Sequence, residues 1–145
     1  MNDRARQFWA RTKLHVWPER YWLVSLPPAL LAEAAGLAAQ SAGKFAALVL
    51  ERDEASLTIE QGLWESSDLR ARARAQEGAF RIITFDVDID LDVCGYLAPA
   101  AARLAEAGIS IVPQCAYLKD HILVHEKHLD KAVRLLEEFM SSCRG

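Results

Sequence analysis

A chain of 145 residues that is 52% hydrophobic and 26% charged has the balance of a globular protein, which excludes a disordered one. Its length allows one compact domain or two small units on a shared core. A net charge of -3, from 17 Lys and Arg against 20 Asp and Glu, leaves no basic excess for nucleic acid. The nearest basic feature, Arg70, Arg72 and Arg74 with Arg103, sits among Ala and Glu and reads as a solvated helix face. The first residues, MNDRARQFWARTK, mix charge with aromatics and lack the apolar stretch of a signal peptide. Apolar runs such as Phe45 to Leu50 are too short to span a bilayer, so no membrane partner is expected. The three cysteines, Cys94, Cys115 and Cys143, are odd in number and have no paired spacing. That pattern points to free thiols in a reducing cytoplasm.

Lys13 to Trp17 reads as a short strand, ended by Pro18. Tyr21 to Leu26 is a stronger one, stopped by Pro27-Pro28. Leu30, Leu31, Ala34, Ala35, Leu37 and Ala38 then mark an amphipathic helix. Phe45 to Leu50 and Ser56 to Glu60 read as a hairpin across the polar turn Arg52-Asp53-Glu54. Asp68 to Gln76 is rich in Ala and Arg, which predicts a short exposed helix capped from Ser66, Ser67 or Asp68. Phe80 to Ile89 is apolar on both faces, as in the middle of a covered sheet. A helix follows Gly95, with Leu97, Ala101, Leu104 and Ala105 inward and Pro99 in or near its first turn, and Gly108 caps it. Ile109 to Val112 and His121 to Val124 are strands. Leu129 to Phe139 predicts a last helix of about three turns.

The order strand, helix, strand, strand, helix is thus written twice. Leu31 to Gly36 (LAEAAG) faintly echoes Leu104 to Gly108 (LAEAG). The expected class is α/β of the α+β type, with antiparallel sheets and helices on one face. Residues 1–12 form an N-terminal extension, 13–78 a first unit and 79–145 a second. A βαββαβ unit needs a fourth strand, and the second unit lacks one of its own. The strand at Leu14 to Val16 is expected to complete it, which makes the units inseparable.

The stretch Phe80 to Val124 resembles the ACT-domain superfamily of small-molecule-binding regulatory modules. Within it, the strand Phe80 to Val87, the loop around Gly95, Leu104-Ala105-Glu106-Ala107-Gly108-Ile109-Ser110 and the strand Asp120 to Val124 fall in family order. Leu14 to Trp17, Pro18-Glu19-Arg20 and Tyr21 to Val24 resemble the opening of the stand-alone tandem members, which are related in fold to the arginine-sensing ACT proteins of animals. The resemblance implies two ferredoxin-like ACT units in tandem and a regulator or sensor without catalytic activity. It implies no cofactor, a cytoplasmic setting and a homodimer as an allowed assembly. It also implies an amino-acid ligand where two units meet, on the loop between first strand and first helix. Mapped onto this chain, the candidate ligand residues are Asp92, Cys94, Gly95, Tyr96, Tyr117 and Asp120. Helix N-terminal amides suit the ligand carboxylate, a side-chain carboxylate suits its ammonium, and a glycine lets backbone come close. Where the family often has Ser-Thr-Tyr, a polar turn and Asp-Tyr, this chain has Cys115-Ala116-Tyr117-Leu118-Lys119-Asp120-His121. Two hydroxyls are missing and a cation, Lys119, is present. If Lys119 points inward it disfavours a cationic ligand.

Other residue patterns have plainer roles. Asp86, Asp88, Asp90 and Asp92 alternate, but the sixth position counted from Asp86 is Leu91 and the twelfth is Leu97, where a calcium loop has glycine and glutamate. An exposed strand face running into a loop is the simpler reading. His121 and His125 share a strand face about 13 Å apart, too far for one zinc ion, and His125 and His128 span a junction. No metal is expected. Cys94, just before a helix, would need a base to act as a nucleophile, and the sequence shows none. With no paired acid and base, P-loop or nucleophile elbow, no catalytic residue is assigned. The alternative function is an oligomeric interaction module with a vestigial ligand site, anchored by Trp9, Trp17, Trp22 or Trp64 if exposed.

Overall fold

A computed structural model describes residues 1–145. The elements run α1 (Asp3–Arg11), β1 (Lys13–Val16), β2 (Tyr21–Leu26), α2 (Leu31–Ala38), β3 (Ala47–Leu50), β4 (Ala55–Glu60) and α3 (Gln61–Glu65). After these come β5 (Ala75–Asp86), α4 (Leu97–Glu106), β6 (Ile111–Cys115), β7 (Asp120–His125) and α5 (Leu129–Arg144). The fold is mixed α+β. The chain forms two compact units, one of Trp17–Arg81 and one, discontinuous in sequence, of Met1–Val16 with Ile82–Gly145. No helix is long and apolar enough to cross a membrane.

In the continuous unit β2 pairs antiparallel with β4 and with the first half of β5, and β3 pairs with β4. Val24, Leu26, Leu57 and Ile59 alternate onto one face, where Leu30, Ala34, Leu37 and Trp64 cover them. Trp64 is fully buried, and its indole N–H donates to Gln76 Oε1 at 2.9 Å. Here the expected helix at 68–76 gives way. Asp68–Arg72 forms only a 3-10 turn, capped by Ser67, and the chain turns extended from Ala75. Pairing of Ala75, Gln76 and Glu77 with Ser25, Val24 and Leu23 satisfies a whole ladder, which outweighs the modest helix preference of Ala and Arg.

In the discontinuous unit the second half of β5 is flanked by β1 and β7, and β6 closes the edge. Lys13 to Val16 pair with Asp86 to Ile83, antiparallel. Pro113 falls in the edge strand β6, where proline is tolerated. Ile83, Phe85, Ile122 and Val124 form one face of the core, and Leu104, Leu136 and Phe139 pack over it. Residues 1–12, the expected N-terminal extension, hold helix α1. Ala5, Phe8, Trp9 and Thr12 follow the i, i+3, i+4, i+7 spacing of a buried face, and Asn2 caps the first turn by accepting from the Ala5 amide at 2.8 Å. Pro99 lies in the first turn of α4, where the amide it lacks has no helical partner. Gly108, at φ 73°, turns the chain out of α4, and the Ile109 amide donates back to Leu104 O at 2.9 Å. Helix α5 runs for 16 residues, longer than three turns. Of the four tryptophans, Trp9 and Trp64 are fully buried and supply core instead of surface anchors.

Candidate functional site

The segment from β5 to α4 carries the alternating carboxylates, and two cations from outside divide them. Arg4 of α1 donates to Asp90 Oδ2 at 3.1 Å and Asp92 Oδ1 at 2.9 Å. Lys119, from the turn between β6 and β7, bonds Asp88 and lies 3.5 Å from Asp86 Oδ1. The four carboxylates are thus split two and two by side-chain cations, an arrangement unlike a shared ion site. No cluster of three His, Cys, Asp or Glu has metal-holding geometry. Arg4, chiefly through its hydrogen bond, holds the Asp92 carboxyl below its usual range. The backbone is tied as well. The Ile89 amide donates to Leu118 O at 2.9 Å, and the Asn2 side chain donates to Cys94 O at 2.9 Å.

The end of the loop rests on aromatic packing. The Trp9 ring stacks on Tyr96, centroids 4.3 Å apart and planes within 10°, and its N–H donates to Tyr96 O at 2.7 Å. The Thr12 hydroxyl donates to Phe8 O, so in its 2.7 Å contact with Tyr96 it accepts and the phenol donates. Burial is the main cause that pushes the Tyr96 phenol up, and the group stays neutral. The Tyr96 hydroxyl is therefore committed to Thr12.

Above this floor lies a cleft of about 340 Å³. One wall is the loop at Ile89, Asp90, Leu91, Val93 and Gly95, and the other is the turn from Cys115 to Leu118 with Asp120. The start of α4, at Tyr96, Leu97 and Ala98, joins them. Gly95 has φ 76°, a left-handed conformation that a side chain would strain. The N-terminus of α4 has no side-chain cap. Cys115 and Asp120 face each other across the hairpin, and the thiol donates to the carboxylate. Burial first, then that hydrogen bond and the carboxylate charge, push the Cys115 thiol up to about 11. It is protonated at neutral pH and a poor nucleophile.

Of the candidate residues, Gly95, Tyr96, Tyr117 and Asp120 line this cleft. Asp92 is turned to Arg4, and Cys94 meets Asn2 through its carbonyl; neither lines it. Lys119 does not line it either, because Asp88 and Asp86 draw its ammonium away. The cation anticipated as a bar to cationic ligands is thus spent elsewhere. Every lining residue belongs to the discontinuous unit, so this cleft lies within one unit instead of at a seam between two. Asn2, Arg4, Trp9 and Thr12, which support the loop, were missed. The spacing of Ala5, Phe8, Trp9 and Thr12 signals the last two, and no pattern singles out Asn2 or Arg4.

His121, weighed for zinc, shares a 2.7 Å hydrogen bond between its Nδ1 and the Thr84 hydroxyl. Burial, its largest influence, lowers its pKa from the ordinary 6.5. The folded state therefore keeps a neutral ring where the unfolded chain takes a proton. Above pH 6.5 neither state is protonated and no penalty applies; below it stability falls until the folded-state pKa is passed. Urea midpoints are expected to drop between pH 7.5 and 5.5, and His121→Gln should flatten that drop. An equal drop in both proteins would assign it to other groups.

Comparison with known proteins places these features. Residues 77–138 match the family model of the ACT domain, in accord with the resemblance drawn on Phe80 to Val124. No curated protein sequence matches the chain. A solved protein of unknown function from Vibrio cholerae is 23% identical, with 93% of this chain and 94% of that one covered and a TM-score of 0.72. The regulatory subunit of aspartate kinase from Thermus flavus is 14% identical over 88% and 95%, TM-score 0.60. Aspartokinase III of E. coli, solved with aspartate and ADP, is 18% identical over 86% of this chain and 32% of the enzyme, TM-score 0.61. At these identities the likeness is one of fold.

Proposed function

We propose that the protein is a stand-alone regulator of two ACT-like units that binds an amino acid, or a similar small zwitterion, in the cleft beside Gly95 and performs no catalysis. The observation that carries this is the meeting, in one cleft, of an uncapped helix start and the carboxylate of Asp120. The amides of Leu97 and Ala98 suit a ligand carboxylate, and Asp120 suits an ammonium. The ACT match supports a ligand-binding regulatory role, and the raised Cys115 thiol removes the nearest nucleophile. The continuous unit has no comparable loop: β2 reaches its helix through Pro27 and a 3-10 turn at Pro28–Leu30. One ligand per chain follows. Titration calorimetry over the common amino acids is expected to give heat with one of them at a ratio of one per chain. Flat traces and unmoved melting temperatures for all of them would sink the reading.

A second reading has its own observation. Leu91, Tyr117 and Leu118 around the cleft are 72%, 75% and 52% exposed, an apolar rim suited to a second copy of the chain. Stable dimers by light scattering, with no amino-acid response, would favour it over the sensor.

A further inference from the structure

The cleft walls are also notable for what they lack. Its lining includes no lysine, arginine or histidine. The two cations nearest the loop are both withdrawn, Arg4 to Asp90 and Asp92 and Lys119 to Asp86 and Asp88. The charged groups that do line it, Asp90 and Asp120, are both acidic. An acidic ligand side chain would therefore meet like charge with no countercharge. A basic one fares little better. Asp120 is needed for the ligand ammonium, and Asp90 is already held by Arg4 at 3.1 Å. The walls themselves are aliphatic: Ile89, Leu91, Val93, Leu97 and Leu118. Leu91 and Leu118 stand 72% and 52% exposed, apolar surface that an apolar side chain would take out of water. The volume, about 340 Å³, lies near the lower end of the roughly 300–1,000 Å³ range of ligand sites and suits a single amino acid.

Building on the amino-acid reading, we propose that the ligand's side chain is uncharged and aliphatic, of the leucine, isoleucine, valine or methionine kind. The test is calorimetry and thermal shift on the full chain with these four, and with aspartate, glutamate, lysine and arginine under identical conditions. At least one aliphatic amino acid is expected to bind about tenfold more tightly than any charged one. A charged amino acid binding as tightly would overturn this specificity and leave the sensor reading standing. Silence from all eight would overturn the aliphatic specificity, while the sensor reading would fall only if the remaining common amino acids were silent too. Leu91→Ser provides a second check, since a side chain so exposed can be replaced without threatening the core. It should weaken the preferred aliphatic ligand several-fold at an unchanged melting temperature, whereas equal affinity would overturn the aliphatic wall.

Discussion

Removal of residues 1–16 is expected to leave Ile82–Gly145 without a stable fold. The reason lies in Trp9, which has no exposed surface and meets three rings, Phe85 at 5.1 Å, Tyr96 at 4.3 Å and Phe139 at 4.9 Å between centroids. Truncating a buried tryptophan to alanine costs about 3–5 kcal/mol, against about 5–15 kcal/mol of stability in an ordinary domain. Loss of the whole segment also strips β1 from β5 at four register positions. It opens the far end of the helix layer too, where Arg144 donates to Ala10 O at 3.1 Å and Thr12 O at 3.0 Å. Trp9→Ala alone is the milder form of the same experiment. Urea denaturation followed by circular dichroism should show its loss of about 3–5 kcal/mol. A truncated chain that unfolds cooperatively at the full-length midpoint would show that α1 and β1 are accessories.

The contrast between α1 and β5 shows what the sequence could reveal. Strand β5 announced itself because Phe80 to Val87 is apolar on both faces, and α4 because its apolar spacing lies between Gly95 and Gly108, both at positive φ. Such signals are local. Helix α1 has equally regular spacing, but its charged residues are as many as its apolar ones, and only the core it meets gives Phe8 and Trp9 a reason to be helical. The stretch at 75–77 was misjudged for the same cause, since its extended form depends on partners fifty residues earlier in β2. Gly95 and Asp120, mapped from the family resemblance of the loop and the facing strand, do line the cleft. Asp92, mapped in the same way, does not, because its partner Arg4 lies 88 residues away. No pattern along the chain tells a carboxylate that lines a cleft from one that faces an arginine.

That distinction sets the sharpest functional contrast, between Asp120 and Asp92. Asp120→Asn is expected to weaken the preferred amino acid by about ten- to a hundredfold. A hydrogen bond to a charged partner contributes about 1.5–3 kcal/mol, and each 1.4 kcal/mol is about tenfold in affinity. The change keeps size and leaves an oxygen for the Cys115 thiol, so folding should hold and the melting temperature should move little. Asp92→Asn removes the same charge from the loop between β5 and α4, outside the cleft. Its effect reaches the ligand only by loosening Arg4, which still holds Asp90. Binding should therefore fall far less than in Asp120→Asn. Equal losses in the two variants would mean that the site feels only the overall negative field around it. Undiminished binding in Asp120→Asn would mean that no ammonium rests there, and the zwitterion would have to be given up.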